Sequence, residues 1–323
     1  MLLSVSNLST HFQPPHGVVP AVDGITFALS AGESLGIVGE SGSGKSQTLF
    51  SVIGLLPPNA KVAGSVRFEG KELIGLAAAE LNALRGERLA MVFQDPMTAL
   101  NPYLTIERQL SEVLQYHQGM SRRHAREEAF LALQRVHMPE ARRQLDRYPH
   151  QLSGGMRQRV IIAMAMIGGP SLLLADEPTT ALDVTIQAEI LDLLAELKDS
   201  GTAILLVTHD LGIVARLCDR VMVMYAGRVV EEGLTREVFR DPRHPYTQGL
   251  LAAIPRLDDD LRRPRRPIEG QPPDLLTLPG GCAFAPRCSA VLEVCRVKTP
   301  KLLRHAEEGA VACHRENPEA SLS

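Results

Sequence analysis

The sequence predicts an α/β fold built on a doubly wound, mostly parallel sheet, and three observations carry that expectation. Leu35 to Val38, Leu89 to Phe93, Leu172 to Ala175, Ile204 to Val207 and Val221 to Met224 are short apolar runs, the pattern of strands covered on both faces. Between them Glu107 to Gln118, Arg122 to Val136 and Gln187 to Lys198 have helical spacing. A glycine-rich loop follows the first apolar run and leads into an apolar helical stretch.

Taken in order, Ile25, Phe27 and Leu29 alternate with Thr26, Ala28 and Ser30, and Val66 and Phe68 alternate in GSVRFEG. That is the period of half-buried strands and predicts an antiparallel flap near the N-terminus. Residues 1–254 then read as one domain of alternating strands and helices. Pro255 to Gly281 reads as a linker, because Asp258 to Asp260, the arginines 262, 263, 265 and 266, and six prolines oppose regular structure. Residues 282–323 form a short extension that needs a staple, since a segment of that size buries little core.

Composition narrows the function. The 323 residues carry 34 Lys+Arg against 37 Asp+Glu, a formal net charge of -3, so nucleic acid is not an expected partner. Hydrophobic residues at 45% and charged residues at 22% are the balance of a globular chain of about two domains. The longest apolar stretch, Val160 to Ala175, is broken by Gly168, Gly169 and Pro170, so no spanning helix is expected. The N-terminal MLLSVSNLSTHF lacks the basic and apolar regions of a secretory signal, which points to the cytosol and to reduced thiols.

The loop Gly39-Glu40-Ser41-Gly42-Ser43-Gly44-Lys45-Ser46 fits G-x-x-x-x-G-K-[ST] at every fixed position. Glycines let backbone N–H groups wrap phosphates, the next helix presents its positive end, Lys45 reaches the outer phosphates and the Ser46 hydroxyl ligates Mg²⁺. Ser171 to Glu177 reads as a buried strand ending in two carboxylates: Asp176 holds the metal through water and Glu177 orients the attacking water. Between these lies Leu152-Ser153-Gly154-Gly155-Met156-Arg157-Gln158-Arg159, followed by an apolar helix.

At this point the chain resembles the ATP-binding subunits of ABC transporters, whose LSGGQ signature sits here, with Met156 in place of the usual Gln. Gln94 resembles the Q-loop, Ala181-Leu182-Asp183 the D-loop, and His209 the switch histidine. The resemblance implies an ABC-type P-loop ATPase with a RecA-like core and an inserted helical subdomain at about 95–165. It implies that Lys45, Ser46, Gln94 and Asp176 hold phosphates and Mg²⁺, that Glu177 is the general base, and that His209 touches the γ-phosphate. Ser153, Gly154, Gly155 and Asp183 would serve a nucleotide held mainly by a partner subunit. Adenine stacking falls to Phe12, beside the plain alternative of a core role. The stretch QDPMTALNPY, Gln94 to Tyr103, is the candidate contact with a membrane permease.

Cys282, Cys288, Cys295 and Cys313 give C-x5-C-x6-C-x17-C. Four thiolates suit tetrahedral Zn²⁺ or an iron–sulfur cluster, and the missing paired C-x2-C knuckles favour [4Fe-4S] while leaving zinc open. Cys218, alone in a helix-like stretch, reads as a core residue. With His244-Pro245-Tyr246-Thr247, FQDPMTALNP and YPHQLSGGMRQR, the tail resembles the oligopeptide/dipeptide permease subfamily over nearly the whole chain. That resemblance implies peptide import at the cytoplasmic face of the cell membrane and a [4Fe-4S] cluster on the four cysteines. It also implies two permease subunits, a homologous second ATP-binding subunit and an extracytoplasmic peptide-binding protein. Import of another solute, such as nickel or opines, and a soluble ABC ATPase are the competing readings.

Overall fold

The computed structural model describes residues 1–15, 17–180, 182–254, 268–305 and 309–316. Ala181, the charge runs and the first half of the expected linker lie outside the described residues. The chain divides into two compact units, each taken by itself.

The first unit comprises Met1–Leu2, Leu29–Ser34 and Gly75–Leu206. Its strands are β6 (Leu89–Val92), β7 (Leu172–Asp176) and β8 (Ala203–Thr208), in the order β8-β7-β6. β6 and β7 run parallel, with Leu89 opposite Leu172 and Val92 opposite Ala175. All five residues of β7 and all six of β8 are buried, which explains their unbroken apolar sequences. Phe93, expected to end the strand, lies beyond it and is 37% exposed.

Helices α2 (Ala78–Leu84), α3 (Pro96–Ala99), α4 (Ile106–Gln118), α5 (Arg122–Arg135), α6 (Ala141–Gln144), α7 (Gly154–Met166) and α8 (Val184–Asp199) complete this unit. The long ones begin where a side chain satisfies an orphan amide: Thr105 accepts from Arg108, Ser121 from His124, Ser153 from Met156 and Asp183 from Ile186. α4 buries Ile106, Leu110 and Leu114 at helical spacing, and α5 answers with Ala125, Ala129, Ala132 and Leu133. Arg159 of α7, 8% exposed, joins the layers by donating to the Val136 carbonyl at 2.5 Å and to Glu189 at 2.7 Å.

The second unit comprises Leu3–Ala28, Leu35–Ile74 and Val207–Ser323. One sheet has the order β2-β1-β4-β5, from β1 (Leu3–Phe12), β2 (Val19–Leu29), β4 (Ala60–Phe68) and β5 (Lys71–Glu72). β1 pairs antiparallel with β4, and β4 with β5. The unit's other strands follow the order β11-β12-β10-β9-β3. β3 (Ser34–Val38) and β9 (Arg220–Tyr225) are parallel; β10 (Arg228–Leu234), β11 (Leu303–His305) and β12 (Gly309–Val311) join antiparallel. The cysteine-bearing segment therefore adds strands to β10, with Glu231 opposite Val311 and Glu232 opposite Ala310.

Its helices are α1 (Lys45–Ile53), α9 (Leu211–Leu217), α10 (Thr235–Arg240), α11 (Pro245–Ala252) and α12 (Glu293–Val297). Cys218 is buried beside Gly36, where an added Cβ would lie 3.1 Å from its sulfur. α11 starts at His244, whose Nδ1 accepts from the Tyr246 amide at 3.0 Å, with Pro245 at the first helical position. This cap presents Tyr246, fully buried, to Tyr225 and Phe284 at ring-centroid separations of 4.6 and 5.4 Å.

Burial lowers the His244 pKa from 6.5 to about 4, so the native imidazole stays neutral where the unfolded one binds a proton. Stability from this site is complete above pH 6.5 and is lost as the pH falls towards 4. The expected loss is about 3 kcal/mol by pH 4, read as a falling urea midpoint, and His244→Gln should flatten that part of the pH profile.

Candidate functional site

The phosphate loop in the second unit is shaped by close approach. Gly44 caps α1 at φ 99, a left-handed conformation, and a Cβ there would collide with the Ala21 carbonyl oxygen. Gly42, at φ 79, has open space around it, so backbone conformation alone calls for glycine. Gly39 lies so near the Met224 carbonyl that a side chain would not fit. Lys45, 5% exposed, donates from Nζ to the Gly39 carbonyl at 2.8 Å and the Glu40 carbonyl at 2.9 Å. The Ser43 amide donates to the Glu40 carbonyl at 3.2 Å, while the Ser43 Oγ is buried without a hydrogen-bond partner. Ser41 is exposed and Ser46 stands in the first turn of α1. The loop thus sets a helix N-terminus, a buried ammonium and a buried hydroxyl at one place, which is the donor set an anion needs.

His209 lies exposed just past β8 and Phe12 half-buried at the end of β1, opposite Ala60.

In the first unit, Asp176 ends β7 at 3% exposure and Glu177 follows at φ 46. A glutamate in left-handed conformation is uncommon and costs about 1–3 kcal/mol, strain that sharp turns at functional sites hold. Glu177 Oε2 accepts from Gln94 Nε2 at 3.3 Å and from Thr180 Oγ1 at 2.9 Å. Two residues read separately from the sequence, Gln94 and Glu177, are therefore joined. Thr180 was not foreseen, nor was Gln158, 1% exposed, which donates to the Pro178 carbonyl at 2.6 Å and holds the turn after Glu177.

The signature and the following turn also meet. Ser153 and Gly154 are exposed at the N-terminus of α7, and a Cβ on Gly154 would touch Leu182 at 3.9 Å. Gly155 is buried against Ile186, which would lie 2.6 Å from an added Cβ. Asp183, exposed, caps α8, and its neighbour Val184 is 83% exposed. Met156 is half-buried on α7, and the Ser153 cap stays intact with Met156 supplying the amide.

A groove of about 420 Å³ opens in the same unit, lined in part by Ala99, Asn101, Leu104, Val113, Tyr116 and Met164. Tyr103 and Tyr116 beside it are 88% and 75% exposed. Gln109 braces the loop, accepting from the Asn101 amide at 2.8 Å and donating to the Asn101 and Leu104 carbonyls at 3.1 Å.

Among the described residues, no group of three or more His, Cys, Asp or Glu could hold a metal ion, so the metal expected on the tail is without support there. The four cysteines are nonetheless near neighbours. Burial chiefly, with Cys295 and Cys288 as neighbours, pushes the Cys282 thiol up to about 11. Burial also raises Cys288 and Cys313, each again with Cys295 as a neighbour. The Ala285 amide donates to the Cys282 carbonyl at 3.0 Å and the Glu316 amide to the Cys313 carbonyl at 3.2 Å. No sequence pattern marked these amide donors.

Comparison with known proteins agrees with this geometry. Residues 22–180 match the family model for the ABC transporter, and residues 230–295 match that for the oligopeptide/dipeptide transporter C-terminal region. The oligopeptide transport ATP-binding protein OppD of Haemophilus influenzae is 56% identical over 93% of this chain and 93% of its own length. That of Escherichia coli is 55% identical over 93% and 89% respectively. The dipeptide transport ATP-binding protein DppD of Bacillus subtilis is 49% identical over 97% of this chain and 94% of its own. Among solved structures, the dimeric post-hydrolysis state of the ATP-binding cassette MJ0796 bound to ADP and Pi superposes with a TM-score of 0.66 at 30% identity. It covers 73% of this chain and 99% of that one. With its phosphate loop, its strained Glu177 and the tail that follows, the chain belongs to the ABC transporter family, among the ATP-binding proteins that carry the oligopeptide/dipeptide C-terminal region.

Proposed function

We propose that this chain is the ATP-hydrolysing subunit of an importer that takes up oligopeptides or dipeptides across the cell membrane, working from its cytoplasmic face. The observation that carries the chemistry is the bond from Gln94 to Glu177, a carboxylate placed past a buried Asp176. Gln94 and Thr180 fix the direction of that carboxylate, so it can accept a proton from an attacking water, and Asp176 and Ser46 are the residues that would hold Mg²⁺. Lys45 would exchange loop carbonyls for phosphate oxygens when ATP binds, with Ser41, Gly42 and Gly44 offering their amides and Ser43 its buried hydroxyl. Asp183 supports its neighbouring signature turn, His209 senses the γ-phosphate, and Phe12 stacks on the base.

The exposed helix N-terminus at Ser153 and the exposed Val184 favour a second ATP-binding subunit facing this surface. The solved cassette with the TM-score of 0.66 is a dimer, which supports the same arrangement. The groove beside Ala99 and Tyr103 suits the end of a helix from a permease, one of two expected in the complex, with a peptide-binding protein outside. No helix of the described residues is long and apolar enough to cross a membrane, so contact with permeases is what would hold the chain there. We read the four-stranded sheet as the antiparallel flap and residues 95–165 as the inserted helical subdomain. Residues 255–281 are read as a linker and residues 282–323 as the cysteine-bearing extension.

For the extension, the donor set is four thiols, Cys295 and Cys313 buried and Cys282 and Cys288 half-buried. A [4Fe-4S] cluster takes four sulfurs spread around several irons, whereas Zn²⁺ draws them onto one ion. The spacing C-x5-C-x6-C-x17-C, without paired C-x2-C knuckles, favours the cluster, which would serve as a staple for a segment with little core. Cys288→Ser should remove iron and visible absorbance from the purified complex; a folded, iron-free parent would refute the assignment.

The importer reading is tested on the membrane complex, with the ATPase rate measured in the presence and absence of binding protein loaded with short peptides. Peptide should stimulate turnover, and Glu177→Gln should lower kcat about 10²–10⁴-fold while ATP still binds. A peptide-insensitive rate in an intact complex would keep the ATPase and move the solute to another class.

A further inference from the structure

Glu40 is an unassigned position of the phosphate loop, yet both its side chain and its main chain are tied to other segments. Its carboxylate pairs with Arg287 at two points, Nη1 to Oε2 at 2.6 Å and Nη2 to Oε1 at 3.0 Å. The Arg287 side chain is 5% exposed, and its remaining donors reach the Glu269 carbonyl at 3.0 Å and the Tyr225 hydroxyl at 3.4 Å. The Glu40 main chain is held as firmly. Its amide donates to the Tyr246 hydroxyl at 2.8 Å, and its carbonyl accepts from Lys45 and from the Ser43 amide. Pro272, Pro273 and Leu275 border a cleft of about 30 Å³ with Glu40, Ser41, Gly42 and Ser43.

The chemistry makes this arrangement unusual. A carboxylate placed in a loop that binds polyphosphate opposes the ligand at short range, where screening by solvent is weak. A planar, buried guanidinium cancels that charge and, through its fork, fixes the direction of the side chain. Arg287 directly precedes Cys288, and Phe284 packs edge-on against Tyr225 with centroids 5.2 Å apart. Cys282 is near enough to bear on the Tyr225 hydroxyl. The same short segment that gathers the thiols thus supplies the cation for the loop.

We propose that Arg287 is a positioning residue for nucleotide binding: its two-point ion pair with Glu40 lets the cysteine-bearing extension hold the phosphate loop in binding shape and neutralise a carboxylate beside the phosphates. The inference rests on the reading that this loop binds ATP. It makes ATP affinity depend on the integrity of a segment that begins more than 200 residues further along the chain, and turnover at saturation independent of it.

The experiment uses the full chain in its membrane complex, titrated with a fluorescent ATP analogue and Mg²⁺, with KM and kcat measured alongside. Arg287→Gln should weaken nucleotide binding about tenfold and raise KM while kcat at saturating ATP is kept. Arg287→Lys, which keeps the charge without the fork, should fall between. Adding Glu40→Gln to Arg287→Gln should recover much of the loss, because the uncompensated carboxylate is gone; a purely structural role would give no recovery. Parent-like affinity in both Arg287 variants, or a double variant no better than Arg287→Gln, overturns the proposal. Should Arg287→Gln fail to assemble, the Lys variant and the double variant decide it by the same comparison. A parent complex that binds no nucleotide overturns the ATPase reading instead.

Discussion

The turn from β3 into α1 is the constraint on which the rest depends. A strand buried on both faces must stop, reverse and offer a helix N-terminus within six residues, and only a backbone free to enter the left-handed region does so. Gly44 at φ 99, pressed against the Ala21 carbonyl, fixes where the first helical amides point. Other contacts are arranged around that turn. The Gly227 amide bonds the Ser43 carbonyl, Lys45 folds back onto the loop, and Tyr246 and Arg287 seize Glu40. The helix dipole at this N-terminus then favours an anion.

Much of this was legible in the sequence, for reasons that differ by element. β7 and β8 are apolar throughout because both faces are covered, and α4, α5 and α8 declare themselves through spacing, while their caps Thr105, Ser121 and Asp183 emerged only in the fold. The phosphate loop and the Asp176-Glu177 pair are local motifs whose residue types follow from their chemistry. The bond between Gln94 and Glu177 spans 83 positions, yet its two ends lie at strand ends and could be named in advance.

What stayed hidden is what local pattern does not encode. Glu40 occupies a variable place in its motif, and its partners Tyr246 and Arg287 lie 206 and 247 positions away. Nothing in His244-Pro245-Tyr246 announces that the cap exists to deliver a phenol to a distant loop. The addition of β12 to β10 was likewise unreadable, since a three-residue strand has too few positions to show a period. Thr180 and Gln158 act by bonding a carboxylate and a carbonyl whose positions only the folded chain determines.

Two carboxylates, one in each unit, are held in different ways. Glu177 accepts from the Gln94 amide and the Thr180 hydroxyl, which fix the direction of its carboxylate. Backbone at φ 46 places it at the turn, the position from which the proposed general base would act. Glu40 instead meets a buried guanidinium that takes both its oxygens, and the pairing in turn holds that guanidinium charged well above the ordinary arginine range. A carboxylate beside phosphates would oppose them unless its charge is paired elsewhere. In the proposed arrangement Arg287 does that, and it ties Glu40 to the segment that carries the cysteines, so that the loop's shape depends on that segment being in place.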